Sequence, residues 1–334
     1  MAATDYYIGK DVRIGVAINA EVSGISFNGT PGSYDCMKLQ KGNSCKIDHI
    51  NAKTPVEETG IVSEDHETGG LLHKISLDLV MSYSKREKFF QLYNGAVAAT
   101  VGGSAPYTHT LTLAKKVLNG SFFVEYAKQS GQPNQFIRDT YDNFVITGIE
   151  IKQAVEQFAL LSVKGFCTGM VHSTAQSSLT STSTTERLSW KHFSPTLNGT
   201  STYRLGDIGV SLGASLAEGE FDHAAGTPTS QDGNWYSGNL SVGYTADVRM
   251  NDSSYALSSH PAILWDGTNE YKWDNGKAAG DNRQFVLTFG NSYIDTPNEA
   301  MGEPGRITQS LSLTAEGGST PIIGIVFINA SATV

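Results

Sequence analysis

The feature that most constrains this chain is an alternation of apolar and polar residues in short runs, each closed by Gly, Asn, Asp or Pro. A period of two sends successive side chains to opposite faces, as a half-buried strand needs and a helix cannot use. The clear runs are 12–18, 75–83, 109–113, 122–126, 144–151, 158–166, 208–212, 240–248, 285–289, 307–313 and 322–328. With 35 Gly, 10 Pro, 14 Tyr and 14 Phe, the composition favours turns and strands over long helices. An all-β chain is expected, and 334 residues suit two domains or one large β domain.

One segment departs from the alternation. Ser84-Lys85-Arg86-Glu87-Lys88-Phe89-Phe90-Gln91-Leu92-Tyr93-Asn94-Gly95 opens on a capping serine, sets Phe89, Leu92 and Tyr93 at helical spacing, and stops at Asn-Gly. It predicts a short amphipathic helix flanking the sheets, packed through those three residues.

From His172 the chain turns Ser/Thr-rich, with no charge before Glu186 and no aromatic residue, a composition that builds no core and reads as a connector. The connector, 172–189, separates a first domain with an N-terminal arm, 1–171, from a second, 190–334. Element order looks alike on both sides. In the first half, strand 34–46 leads to a polar loop at 48–70 and strand 75–83. The helix, a Gly-rich turn, paired strands 109–113 and 122–126, and strands 142–152 and 157–167 follow. In the second half, 202–216 leads to a polar loop at 218–238 and strand 239–249. An irregular 251–260, then 263–265 with 271–273, 284–290, 306–315 and 321–329 complete it. A tandem duplication of one all-β unit is expected.

Charge narrows the partners. Lys+Arg number 24 against Asp+Glu 33, a net -9 with no basic cluster, which excludes a protein gripping nucleic acid through its phosphates. No run approaches the ~18 apolar residues of a membrane span, and no basic region followed by an apolar run opens the chain. A soluble protein made in a cytoplasm, with no membrane partner and no further C-terminal domain, is expected. Cys36, Cys45 and Cys167 form an odd set read as reduced thiols, a Cys36–Cys45 bridge across a hairpin being the minor alternative.

The search for chemistry returns little. His66 and His73 match no zinc spacing and read as solvated loop histidines, while His109 lies in an alternating strand as one member of a cross-strand pair. Glu57-Glu58, Glu64-Asp65, and Asp139 with Asp142 read as solvated acids. Asp247, Asn251, Asp252 and the Asp266-Gly267-Thr268-Asn269-Glu270 run lack the EF-hand order of ligands and read as turn chemistry. No nucleophile elbow or phosphate-binding glycine loop occurs. Neither enzyme activity, cofactor nor metal is expected. Trp190, Trp235, Trp265 and Trp273 could line a sugar groove or plug the core and subunit contacts, and the second use is favoured.

The order of elements resembles the tail tube proteins of long-tailed bacteriophages, in the version whose tube domain is duplicated within one chain. The resemblance is carried by Gly9-Lys10-Asp11-Val12-Arg13-Ile14 with Val16-Ala17, and by Gly70 through Ile75-Ser76-Leu77-Asp78-Leu79 to Phe89-Phe90-Gln91-Leu92. Tyr107-Thr108-His109-Thr110-Leu111, Gly148-Ile149-Glu150-Ile151 and Leu160-Leu161-Ser162-Val163-Lys164-Gly165 complete it. The match is one of pattern over nearly the whole chain, and the second half departs by lacking a clear helix after Arg249.

The resemblance implies tandem β-sandwich domains whose inner sheets join across subunits into a continuous β-barrel. It implies homo-oligomeric rings of three chains with pseudo-sixfold symmetry, stacked into the virion's tail tube. Tape measure protein and DNA occupy the lumen, with tail terminator and tail tip proteins at the ends. Much of the negative charge is expected to face that lumen and repel phosphates. The two polar loops and residues 1–24 are assigned to ring stacking and neighbour contacts, through Asn51, Lys53, Glu57, Glu58, Glu64, Asp65, His66, Asp222, Gln231, Asp232 and Trp235. A carbohydrate-binding or adhesin-like sandwich, a β-sandwich hydrolase, and a tail terminator or neck protein are the alternatives.

Overall fold

The structure, a computed structural model, describes residues 7–18, 35–38, 43–55, 66–94, 100–112, 120–128, 136–167, 169–173, 186–201, 203–214, 222–224, 227–229, 240–249, 264–295, 298–300, 308–316 and 321–330. Strands β1 Tyr7–Ile18, β2 Asp35–Lys38, β3 Ser44–Pro55 and β4 His66–Val80 precede helix α1, Glu87–Asn94. Next come β5 Thr100–Val101, β6 Tyr107–Thr112, β7 Gly120–Lys128, β8 Phe136–Gln153, β9 Leu160–Cys167 and β10 Gly169–Ser173. A 3-10 turn at Trp190–His192 leads to β11 Phe193–Thr196, β12 Leu205–Ala214, β13 Asp222–Ala224, β14 Thr227–Thr229 and β15 Leu240–Arg249. The last are β16 Leu264–Trp265, β17 Asn269–Asp274, β18 Gln284–Phe289, β19 Asn291–Ile294, β20 Asn298–Ala300, β21 Thr308–Glu316 and β22 Ile323–Asn329.

The chain is all-β with a short helix, and its strands pack as two antiparallel sheets that close no barrel on their own. In the larger sheet β8 is the centre. Its first half pairs with β7 and β10, and its second half with β9 on one edge and β12 on the other. The smaller sheet runs β11-β17-β18-β22-β6-β5. Both sheets therefore mix strands from either side of the 172–189 connector, through β8–β12 in one and through β22–β6 in the other.

Alternation fills the space between the sheets. Tyr244 of the large sheet stacks on Phe289 of the small one at 4.1 Å, and Tyr271 donates its hydroxyl to the Thr245 carbonyl at 3.0 Å. Trp273 and Phe285 stack at 5.5 Å, with Phe327 4.7 Å beyond. The Trp273 indole N–H donates to Gln153 Oε1 at 2.7 Å, tying β17 to the end of β8. That hydrogen bond lets a large polar aromatic lie fully buried without an orphaned donor.

The helix starts later than the serine predicts. Lys85 sits at φ 60, in the left-handed region that interrupts a helix, and Glu87 accepts the Arg86 backbone N–H at 2.8 Å. Phe89, Phe90, Leu92 and Tyr93 are all buried, and so are Lys88 and Gln91. The helix is wedged in the core rather than laid on a surface: Phe90 meets Phe285 and Phe327 of the small sheet, while the Tyr93 hydroxyl donates to the Gly213 carbonyl of the large one.

Three further expectations are corrected. Residues 48–55 and 66–70, read as loop, extend the β3–β4 hairpin, because a strand pair held by its own ladder needs no apolar alternation. Part of 218–238 likewise forms the β13–β14 pair. Strands 109–113 and 122–126 do not pair: β6 joins β22 and β5, whereas β7 joins β1 and β8. Residues 251–260 lie outside the described ones.

The larger sheet repeats itself. Strands β3-β4-β9-β8 lie side by side in that order, and β12-β15-β21-β19 do so again. His73 to Val80 pair with Cys167 to Leu160, as Val242 to Arg249 pair with Ala315 to Thr308. In the first set one extra residue on β8 shifts the register between Ile146 and Gly148. In the second, β20 continues β19 along β21 with one extra residue, after Ile294, at the equivalent place. Equivalent side chains bond alike: Ser162 Oγ donates to Asp78 at 2.6 Å, and Ser310 Oγ to Asp247 at 2.5 Å. A shared bulge is a built feature rather than noise.

Phe285 lies at the centre of the aromatic cluster, so Phe285→Ala is expected to cost ~3–5 kcal/mol by leaving a cavity the sheets cannot close. Urea unfolding checks it, and a loss below about 1 kcal/mol contradicts this packing.

Candidate functional site

The repeated sets expose two strand edges. Within the chain, β12 fills the free edge of β8, Ile208 to Gly213 opposite Gln153 to Gly148. The corresponding edge in the second set belongs to β20, and the strand corresponding to β12 is β3. Among the described residues β20 pairs only with β21, and β3 only with β4. The two residues of β16 cover β19 at Ser292 and Tyr293, much as β7 covers the earlier part of β8, and leave β20 open. A row of open N–H and C=O groups is a template for another strand.

Beyond β9 the β3–β4 hairpin continues alone. Pairing of β4 with β9 begins at His73, whereas β3 pairs with β4 out to Pro55 opposite His66. Asn51, Lys53 and His66 lie on this extension, and Glu57, Glu58, Glu64 and Asp65, in the segment that joins its strands, fall outside the described residues. Asp222 opens β13, and Gln231, Asp232 and Trp235 fall outside. Chain direction puts the Pro55 end of β3 and the Ala214 end of β12 at the same end of the sheet.

The face of the large sheet turned from the core is mostly small and polar, with Leu160, Leu264 and Tyr293 exposed among it. Ser44, Ser76, Ser211, Ser241, Thr245 and Ser310 are exposed on it, beside Lys46, Asp48, Asp78, Lys152, Lys164, Asp207 and Glu316. Asp78 accepts hydrogen bonds from Ser162 and Ser44, which hold its carboxyl below the usual aspartate range.

His73 is not a solvated loop residue. It is buried where the hairpin leaves β9, its ring edge-on to Tyr141 at 5.4 Å, and its Nδ1 lies 2.8 Å from that of His49 directly opposite on β3. One ring donates and the other accepts, so the contact requires at least one neutral imidazole. Burial first, then the charge of His49, hold the His73 pKa below its ordinary value.

The other sequence candidates disperse. His109 is buried on β6 opposite Thr100 and Phe327, with Thr100 Oγ1 3.1 Å from its Nδ1. His172 contacts Asp139 at 2.6 Å, and Ser121 donates to Asp142. Trp265 and Trp273 are fully buried, and Trp190 is half-buried against Phe193. Trp235 lies outside the described residues. Burial pushes the Cys45 thiol up to about 12 and raises that of Cys167 well above its ordinary value. Among the described residues no group of three His, Cys, Asp or Glu could hold a metal ion.

Sequence reasoning missed the edge residues of β3 and β20, because pairing capacity belongs to the backbone. One signal was present: Asp78-Leu79-Val80-Met81 and Asp247-Val248-Arg249-Met250 repeat Asp-x-x-Met at the ends of β4 and β15.

Because His73 resists protonation when folded, the unfolded chain takes up more protons as pH falls below the ordinary histidine value. Stability is therefore expected to be full above neutrality and to decline from there toward pH 5. Urea midpoints should fall less over this interval in His73→Gln than in the unaltered chain. No protein-family model matches this chain, and no curated protein matches it.

Proposed function

We propose that this chain is a structural subunit that closes into rings of three and stacks them into a tube, the tail tube of a long-tailed bacteriophage. The observation that carries the reading is the β8–β12 junction together with the two open edges. If the two four-strand sets are tandem copies of one tube domain, the junction inside the chain is the template for the junction between chains. β3 of one copy then adds to β20 of the next. Repetition around three chains gives six similar sets and a barrel with no edge left over, which removes the aggregation hazard of open strands.

The polar face suits a conduit wall. Among the described residues Ser, Thr and Gly form no cationic track, Leu160, Leu264 and Tyr293 are the large apolar side chains exposed on this face, and acids exceed bases by a small margin. Nearly all of the net -9 belongs to two other segments: 51–70 carries Glu57, Glu58, Glu64, Asp65 and Glu67 against Lys53, and 215–239 carries Glu218, Glu220, Asp222 and Asp232 with no Lys or Arg.

In this reading the partners are further copies of the chain, the tape measure protein and DNA in the lumen, and terminator and tip proteins at the ends. The place of action is the virion tail. Structural assembly, rather than catalysis, is the role. A terminator or neck protein would share the ring but not the stack. A sugar-binding sandwich is disfavoured by the burial of Trp265 and Trp273.

The register of the template makes the test specific. Val210 and Ile151 lie side by side in the internal junction, and their counterparts are Ile47 and Glu299. Ile47→Cys with Glu299→Cys, in a chain whose Cys36 and Cys45 are serine, is expected to oxidise into covalently closed trimers on a non-reducing gel. Either cysteine alone should leave monomers. Failure of the double variant to cross-link while rings form contradicts the junction.

A further inference from the structure

The two repeated sets differ in one row of side chains beside the open edge of β3. His73 corresponds to Val242, since each begins the pairing with the next strand, opposite Cys167 in one set and Ala315 in the other. His49, opposite His73, then corresponds to Leu212, opposite Val242. Leu212 also faces Ile149 across the join inside the chain, and Leu212, Val242 and Ile149 are all buried. The first set thus carries two imidazoles where the second carries two aliphatic side chains. His73 is 2% exposed, whereas His49, with no strand beyond it among the described residues, is exposed.

The Nδ1 atoms of the pair lie 2.8 Å apart, so the contact accommodates no charge or one positive charge and rejects two. Its surroundings supply nothing that offsets a charge. Tyr141 of β8 lies edge-on to His73, Cys167 of β9 sits opposite it, and Cys45 precedes His49 by four residues on the same face of β3. Burial raises the pKa of these three groups and of Tyr126 on β7, which keeps them all uncharged near neutrality. Asp139 of β8 is engaged by His172 of β10, and Asp142 by Ser121 of β7. Lys46, Asp48 and Lys74 fall on the opposite face by alternation.

We infer that ring closure is gated by protons: the His49–His73 pair must be uncharged for β3 to join the β20 edge of the next copy. In a join built like the internal one, His49 takes the buried place of Leu212. A charge there loses its water and gains no partner, so a pair that holds an extra proton in the free chain must release it on joining. The joined state binds fewer protons than the free one, and acid therefore favours the free chain. Joining is full above the ordinary histidine value of ~6.5, and below it weakens by up to about tenfold per pH unit for each proton released. The gate rests on the ring reading and names what regulates its join.

The test follows ring formation by sedimentation velocity from about pH 8 to about pH 5.5, in the unaltered chain and in His49→Leu with His73→Val, the pair of the second set. The unaltered chain is expected to need at least about tenfold more protein to form rings at the acid end. The double variant should form them at nearly one concentration throughout. Should the double variant fail to fold, His49→Leu alone, at an exposed position, is expected to flatten the profile in the same direction. Circular dichroism at each pH separates loss of rings from loss of fold. Rings indifferent to pH in the unaltered chain, a profile that the substitutions leave unchanged, or ring loss that only accompanies unfolding overturns the gate and leaves the ring reading standing. An unaltered chain that forms no rings at any pH overturns both.

Discussion

The backbone ladder between β8 and β12 is the contact on which the rest of this structure depends. Six residue pairs join strands from opposite sides of the Ser/Thr-rich connector, and through them two sets of strands of the same order become one sheet. The core follows from that join. Once β12 is registered against β8, Val210 and Leu212 face inward beside Ile149 and Ile151, and the small sheet can seal both sets at once. Trp273 reaching Gln153 and Asn329 reaching Glu87 are further links across the same divide. The halves share one core, so unfolding is expected to be a single cooperative event.

Much of this was legible in the sequence where the physics is local. Runs such as 144–151, 208–212 and 240–248 lie on strands because period-two alternation reports directly which face is buried. The helix was legible in Phe89, Leu92 and Tyr93, but its start was not, since the left-handed backbone at Lys85 leaves no mark in side-chain periodicity. The β3–β4 extension was hidden for the opposite reason: residues such as Lys53, Thr54 and Glu67 need bury nothing to stay in a ladder. His73 looked solvated among polar neighbours, yet Tyr141, distant in sequence, lies over it. Pairing of β22 with β6 joins residues more than 200 positions apart, which no local pattern encodes.

The candidate assembly surfaces divide in the same way. Acidic segments at 51–70 and 215–239 could be located from composition, but that β3 and β12, the strands leading into them, finish at the same end of the sheet could not, because it depends on strand direction in the folded sheet. The open edges of β3 and β20 could be located only after the bulge near Ile146 was found to recur after Ile294. Charge also changes meaning with placement. The net -9 first excluded a protein that grips nucleic acid. In the fold the polar face of the large sheet stays close to neutral, while most of the excess falls in the sequence segments 51–70 and 215–239.

The join inside the chain is expected to recur between chains. Native mass measurement of the assembled ring, combined with averaged top views by electron microscopy, tests it most directly. Three chains per ring, with six similar inner sets around the axis, is the result expected. A monomer at all concentrations, or a twofold dimer in which β3 pairs with β3, would contradict it.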